Sequence, residues 1–591
     1  MDYLELIKES RKIKANDRKF PEVKIAVLGD NSTQSLVQTL RALLFRHQVY
    51  AVCHESEFNV IDQETLNPDS ALYQFLATHV VLFPCTQQLR EKFYSRPRPE
   101  PQPFIDETIE QIQRWWDAIG SRSKARIIHH VFVLPLECPF SNYTLKMEQA
   151  FLSIMHQINR RLIDLSKGYG NVFLNDLEYT ASLIGKKQWL DETWWVQAKL
   201  ACHPECVPQV AQGIADIVRA SLGQIKKCLV LDLDNTLWGG IIGEDGVEGI
   251  EVGPEGAGEA YLQFQRYLLE LKNRGLILAV CSKNDTENAV APFRHHPHMA
   301  LKEEDFAVFT ANWNNKVDNI RDIAATLNIG LDSMVFIDDS SFERNHVRTA
   351  LPEVFVPEMP EDPADFVKYL TLANCFETVS FSAEDRTRTE QYRRQAQRET
   401  VRTKFTDING YLASLEMKAV FNRFDAFHLP RIVQLIGRSN QFNLTTKRYS
   451  EKECEALAAD QKSYFPIYIT LEDKYGDSGL ISVIILQSAK TKLVIDTWLM
   501  SCRVLERGLE QFAMNQVVAL VKSKGFTTIE GMYLPTAKNK MVADFYERFG
   551  FRRVEGGDNG KTVWAINVDD YRPQHTLIQL KQEDLWPAGK S

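Results

Sequence analysis

The stretch "LVLDLDNTLWGG" runs from Leu229 to Gly240. Three apolar residues lead into Asp232 and Asp234, followed by Thr236 and a Gly-Gly pair. Residues two apart in a strand face the same side. Both carboxylates therefore emerge together where the apolar run stops. That is the carboxyl end of a parallel strand, the edge at which open α/β sheets bind ligands. Two acids so close resist joint ionisation unless a cation neutralises them. Mg2+ suits the place, being hard, oxygen-seeking and associated with phosphate. For this motif alone, a pair of solvated turn aspartates is the alternative reading.

Three later segments repeat the design. "LILAVCSKND" is a second apolar strand and ends in Ser282; "NWNNKVDNI" supplies Lys316; "SMVFIDDSSFERN" is a third apolar strand and ends in Asp338 and Asp339. With "FAVFT", these runs predict a parallel sheet. The helix-like "EAYLQFQRYLLELKNRG" closes on Gly275, a natural C-cap. The ordered set DxDxT, Ser, Lys, DD, over about residues 226–356, resembles the haloacid dehalogenase-like superfamily. The flanks "DLDNTLWGGIIGEDG", "VCSKND" and "FIDDSSFERN" resemble the narrower FkbH-like proteins of polyketide biosynthesis, subfamily IIIC.

The resemblance implies phosphoryl transfer through an aspartyl-phosphate. Asp232 is then the nucleophile and Asp234 the general acid and base. Thr236, Ser282 and Lys316 hold phosphoryl oxygens. Asp232, Asp234 (through its main-chain carbonyl), Asp338 and Asp339 hold Mg2+. It further implies 1,3-bisphosphoglycerate as substrate and an acyl carrier protein as partner, whose phosphopantetheine arm receives a glyceryl or related three-carbon unit. No long insertion separates the first two motifs, so the site is expected to be open to a protein partner. A stand-alone small-molecule phosphatase is the alternative, and a non-catalytic scaffold a third reading. Cys281, immediately before Ser282, has two readings. One is a thiol that carries the acyl group transiently; the other is packing, because alternation turns it away from Ser282.

The rest of the chain is read around this centre. With 591 residues, several domains are expected. The composition, 44% hydrophobic and 25% charged, is that of a globular protein. A net charge of -9 argues against nucleic acid as the partner. No apolar run is long enough for a membrane span. The charged N-terminus and ten scattered cysteines fit a reduced, cytoplasmic setting. Cys202, His203 and Cys206 form a small cluster, but no second ligand group accompanies it to make a zinc site.

The fold class expected is a three-part α/β chain. Residues 1–222 resemble the SGNH-hydrolase fold through "LGDNSTQSL" and "HPECVPQVAQGIADIV". Asn31 stands at the nucleophile's position and Leu200 where an aspartate belongs, so no esterase activity is expected. Residues 223–380 form the central Rossmann-like haloacid dehalogenase-type domain. The charged run in 381–412 reads as a solvated linker helix. Residues 413–572 resemble the GNAT acyltransferase fold through "DTWLMSCRVLERGLEQF" and "YLPTAKNKMVADFYERFGF". In that fold the strand-to-helix turn cradles a pantetheine pyrophosphate, which nominates Arg503, Arg507, Gly508, Asn539 and Tyr546. Glu506 departs from the fold's glycine there. "SNQFNLTTKRYS" is a further FkbH-like feature, and Arg503, Arg507, Lys538 and Lys540 are expected to form a basic patch that steers an acidic carrier.

Overall fold

The computed structural model describes residues 2–14, 20–97, 100–381, 388–402, 405–439, 441–460, 462–536, 538–556 and 560–581. The chain divides into two units, Met1–Ser221 and Leu222–Ser591.

In the first unit, β1 (Glu22–Gly29), β2 (Tyr50–Glu55), β3 (His79–Phe83), β4 (Arg126–Val131) and β5 (Val172–Asp176) form one parallel sheet in the order β2-β1-β3-β4-β5. Strands buried on both faces read as continuous apolar runs, and β1 and β3 do so. The amphipathic helices Pro101–Arg122 and Val207–Ser221 turn apolar stripes inward.

The second unit holds two sheets. β6 (Cys228–Leu231), β7 (Ile277–Ser282), β8 (Phe306–Ala311) and β9 (Met334–Ile337) are all parallel, in the order β8-β7-β6-β9. The chain winds outward from β6 in one direction through β7 and β8, then returns to β9 on its other side. The carboxyl ends of β6 and β9 therefore flank the switch point, where ligands bind in such sheets. Alternation splits the core into two layers. Leu229, Leu231, Leu278, Val280, Val335 and Ile337 face one side. Cys228, Val230, Ala279, Cys281, Met334 and Phe336 face the other.

The third sheet is built from β10 (Lys418–Arg423), β11 (Phe442–Asn443), β12 (Tyr464–Asp473), β13 (Gly476–Ala489), β14 (Lys492–Met500), β15 (Thr528–Tyr533), β16 (Arg552–Gly556), β17 (Thr562–Asn567) and β18 (Gln579–Leu580). Its main path is β16-β17-β15-β14-β13-β12-β10-β18. β14 and β15 are parallel and pair only as far as Ile495 and Gly531. Beyond that point the two strands part. Phe442 and Asn443 of β11 pair with Met500 and Leu499 on the side that β15 has left.

One expectation is corrected here. The charged run is not a solvated linker. Residues 382–387 and 403–404 of it lie outside the described residues, but Arg388–Arg402 is a helix packed on β7 and β8. Thr389, Tyr392 and Arg398 are buried along one stripe. Arg398 donates to Asp473 at 2.7 Å, and Arg507 reaches the other oxygen of that carboxylate at 3.4 Å. The helix is polar on its buried face because its partners are charged.

Candidate active site

The site forms at the carboxyl ends of β6, β7 and β9. Asp232 follows β6 directly, Ser282 ends β7, Asp338 and Asp339 follow β9, and Lys316 begins the helix Lys316–Leu327. The structure thus brings together residues more than a hundred positions apart in sequence. Lys316 Nζ sits 2.8 Å from Asp232 Oδ2 and 2.5 Å from Asp338 Oδ2. Ligand oxygens of Asp232, Asp338 and Asp339 all lie within 4.8 Å of one another. The Asp234 carboxylate is not in that group. Its Oδ1 accepts from Ile242 N and Trp238 Nε1, both at 3.0 Å, and its Oδ2 accepts from Asn284 Nδ2 at 2.8 Å.

The electrostatics follow from burial and crowding. One ammonium faces several carboxylates. Burial opposes the charge on Lys316, but Asp232 and Asp338 outweigh it and hold its pKa above the usual lysine range. Burial, then the Asp232 charge, pushes Asp338 up to about 7 despite Lys316. Burial first and Asp232 next raise Asp339 as well. Asp234 is raised by burial, against the bonds from Ile242 and Trp238 that favour its charged form. A divalent cation fits this excess of negative charge. Asp232 Oδ1 is buried with no hydrogen-bond partner, an arrangement that is costly unless a ligand completes it. An all-carboxylate oxygen set suits Mg2+. Thr236 Oγ1 is likewise buried without a partner, and Ser282 is 2% exposed.

Local geometry explains the motif. Asn235 adopts φ 52°, which tolerates asparagine, and its side chain accepts from Gly240 N at 3.0 Å. Gly240 has φ 91°, and a Cβ there would meet Asp245 Oδ2 at 2.5 Å. That oxygen accepts from Ile241 N. Between β6 and β7 lie the helices Ile242–Gly249 and Gly256–Asn273 and two isolated bridges, Asp234 to Trp238 and Gly239 to Glu251, and no capping domain.

Three positioning groups escaped the sequence reading. Trp238 and Asn284 orient Asp234, and buried Arg344 donates to the main-chain oxygens of Asp338 and Asp339 at 2.8 and 2.7 Å. Asn284 stands in the quoted "SKND", two residues beyond Ser282; nothing local marks Trp238 or Arg344 out. Of the two readings of Cys281, the structure supports packing. The thiol is fully buried in the layer of Val230 and Phe336, with Sγ 3.8 Å from Lys316 O. Burial, more than the Lys316 charge offsets, pushes it up to about 12. It stays a protonated thiol at neutral pH.

Of the residues nominated for a pantetheine arm, Asn539, Tyr546, Arg503 and Arg507 are buried and hold contacts within the protein, and Arg507 and Gly508 line a cavity. Asn539 is fully buried and donates to Asn443 O and Leu534 O. Tyr546 is 1% exposed, its ring packed where a side chain on Gly531 would otherwise lie. Arg503 and Arg507 are buried against Gln391 and Gln395 of the Arg388–Arg402 helix, so they form no surface patch. Lys538 pairs with Asp332 at 2.5 Å, and Lys540 is exposed. Gly508 caps the helix Leu509–Ser523 at φ 78°, beside a cavity whose wall includes Glu506 and Glu510. The parting of β14 from β15 is filled by the chain itself: Leu444 N donates to Trp498 O, and Leu534 N to Leu444 O. Residues 441–450 of "SNQFNLTTKRYS" are that plug and its staple, with Thr445 Oγ1 donating to Asp496 O; Asn440 lies outside the described residues.

In the first unit, Ser32 donates to Ala198 O at 2.5 Å, and His203 Nδ1 accepts from Glu205 N at 3.3 Å. Asn31 donates to Phe83 O at 2.7 Å. The turn after β1 is thus tied into its own surroundings. Among the described residues, the cluster of metal-binding type found is Asp232, Asp338 and Asp339, and no helix is long and apolar enough to cross a membrane.

Comparison with known proteins places these observations. Residues 24–219 match the FkbH N-terminal domain family. The chain is 36% identical to the N-terminal part of the protein BF1531 from Bacteroides fragilis, which contains a phosphatase domain and was crystallised in complex with Mg. The match covers 64% of this chain and 100% of that one, with a TM-score of 0.61. The ribosomal-protein-S18-alanine N-acetyltransferase from Escherichia coli is 14% identical over 28% of this chain and 99% of its own, with a TM-score of 0.20. Ard1 from Thermoplasma volcanium is 12% identical over 25% and 97%, with a TM-score of 0.21. No curated protein matches. A parallel sheet carrying DxDxT, Ser, Lys and DD at its switch point, a first unit of FkbH type, and full coverage of the Bacteroides relative lead to one assignment: the chain belongs to the FkbH-like proteins of the haloacid dehalogenase type.

Proposed function

We propose that the chain is a magnesium-dependent phosphohydrolase that works through an aspartyl-phosphate on Asp232 and serves acyl transfer to an acyl carrier protein. The observation that carries the hydrolytic part is the meeting of Asp232, Ser282, Lys316, Asp338 and Asp339 at one sheet edge, with Asp234 held beside them. Asp232, Asp338 and Asp339 would hold Mg2+, which when bound neutralises phosphoryl oxygens. Asp232 attacks phosphorus, forming an O–P bond as the ester P–O bond breaks. Asp234, held up in pKa, gives its proton to the leaving alkoxide. As a carboxylate it then takes a proton from water, whose oxygen attacks the aspartyl-phosphate and frees phosphate and Asp232. Lys316 remains charged throughout and, with Ser282 and Thr236, faces the phosphoryl oxygens.

Family membership supports the finer reading, in which 1,3-bisphosphoglycerate is the substrate. The ester phosphate is hydrolysed on Asp232. The pantetheine thiolate of the carrier attacks the acyl carbon, the C–S bond forms, and the acyl-phosphate oxygen departs as phosphate. The covered state of Cys281 favours direct attack over a thioester on this chain. A stand-alone phosphatase is the second reading, favoured by the self-filled split between β14 and β15. Intact-mass measurement separates them. The protein, Mg2+, a system that generates 1,3-bisphosphoglycerate and a holo acyl carrier protein are mixed. A glyceryl-sized gain on the carrier supports transfer, whereas phosphate release with an unmodified carrier reduces the activity to hydrolysis.

A further inference from the structure

Asp234 is held from two directions, and each holder is joined to an exposed apolar side chain. On one side Ile242 N donates to Asp234 Oδ1, and Ile241, the residue before it, is 42% exposed. On the other side Asn284 Nδ2 donates to Asp234 Oδ2. The next residue, Asp285, accepts from Trp313 Nε1 at 3.0 Å. Trp313 is 70% exposed and stands three positions before Lys316. Ile241 and Trp313 come from different loops, after β6 and after β8, so no single apolar stretch explains the pair.

The Trp313 loop is tied down at every step. Asn312 N donates to Ser282 O at 3.2 Å, and Thr286 Oγ1 donates to Ala311 O at 2.9 Å. Both ties run to the segment that carries Ser282 and Asn284. Asn312 and Asn319 exchange side-chain bonds at 3.2 and 2.9 Å, and Asn314 N donates to Asn312 Oδ1 at 2.9 Å. Asn315 Oδ1 caps the helix Lys316–Leu327 by accepting from Asp318 N at 2.9 Å. A single exposed apolar side chain is ordinary on a protein surface. Trp313 differs, because its loop is laced to the phosphoryl site and its one polar atom is pinned beside the holder of Asp234. An aromatic face ordered in advance loses little freedom on binding. Contacts to parts of a substrate remote from the reacting bond add binding that phosphate alone does not supply.

We propose that Trp313, with Ile241, binds the carbon body of the leaving group and favours phosphate esters that carry an extended one over methyl-sized ones. Trp313 is then a specificity-determining residue, and Asp285 positions it. No proton or bond of the reaction passes through either. The proposal rests on the reading of Asp234 as the acid that faces the leaving group.

Calorimetry on the full chain with Mg2+ tests it, with methylphosphonate and benzylphosphonate as probes. Their P–C bond stands where the ester P–O bond would be, so neither is hydrolysed. The unaltered chain is expected to bind benzylphosphonate at least about tenfold more tightly than methylphosphonate. Trp313→Ala is expected to bring the two within about twofold of each other, and Trp313→Phe to keep part of the preference. Asp285→Ala leaves the indole but frees it, and its preference is expected to fall between those of the unaltered chain and Trp313→Ala. A melting curve shows whether each variant folds, and Asp285→Ala carries the test if Trp313→Ala does not. Equal binding of the two probes by the unaltered chain overturns the proposal. So does absence of benzylphosphonate binding at millimolar probe, or a preference that the variants leave in place. The phosphohydrolase reading fails separately, by an absence of Mg2+-dependent phosphate release from acetyl phosphate.

Discussion

At the scale of single residues, the site depends on how one carboxyl is held. Asp234 has three donors, and burial keeps its pKa up. Asp234→Asn keeps the side chain's size and an oxygen for Ile242 and Trp238 but removes the proton exchange. Phosphate release from an ester with a poor leaving group should fall by about 10²–10⁴, the usual worth of a positioned acid-base group. Steady-state assays on an alkyl phosphate check this; a loss below threefold would take Asp234 out of the proton transfer. Cys281 gives a second test. Its fully buried, protonated thiol should resist iodoacetamide at neutral pH in the folded protein, while exposed Cys138 is alkylated. Peptide mapping after labelling reads both. Rapid labelling of Cys281 would restore its candidacy as an acyl carrier.

At the scale of elements, three of the four strands of the catalytic sheet, β6, β7 and β9, were legible because each is an apolar run ending in a polar group with chemistry, and β8 was legible as an apolar run alone. "LVLDLD", "LILAVCS" and "MVFIDD" state their burial and their ends in the same letters. The Arg388–Arg402 helix was not legible in this way. Its buried stripe is Thr389, Tyr392 and Arg398, and its partners, Asp473 and Arg507, lie far along the chain. Charge density reads as solvation when the opposite charge is not local. The plug of β11 in the split sheet was hidden for a similar reason: two residues of strand carry no periodic signal. The buried Arg398–Asp473–Arg507 cluster makes a prediction. Burial, then repulsion from Arg398, depresses Arg507 to about 10, so the cluster holds two cations on one carboxylate. Asp473→Asn leaves both arginines without their counter-charge and should cost about 3–5 kcal/mol. Urea unfolding of the second unit measures it; a change under about 1 kcal/mol would show that the arginines find water instead.

At the scale of the molecule, the first unit should respond to acid. His79, His129 and His130 are fully buried in β3 and β4, and burial lowers them to about 3, about 4 and about 3. The unfolded chain binds their protons near pH 6.5, so it holds more protons than the fold below that point. Their stabilising neutrality is complete above about pH 6.5 and is lost as pH falls toward the folded values, at about 1.4 kcal/mol per pH unit for each. Asp30 works the other way. Burial raises it to about 6, so the fold gains protons between there and the ordinary carboxylate range, which offsets one histidine. The urea concentration at which β3 and β4 become open to proteolysis should therefore fall between about pH 6.5 and about pH 4.5. His130→Phe, at a ring already packed 4.5 Å from Phe83, should flatten the slope. An unchanged slope would mean that His130 binds its proton equally in the folded and the unfolded chain. The chemistry of the whole molecule rests finally on one covalent bond, between Asp232 and phosphorus. The measurement that tests it most directly is peptide mapping by mass spectrometry of Asp234→Asn, quenched in acid after brief exposure to an acyl or aryl phosphate with Mg2+. A phosphoryl-sized gain is expected on the peptide containing Asp232, absent in Asp232→Asn. A phosphoryl group found on another residue, or full phosphate release by Asp232→Asn, would contradict it.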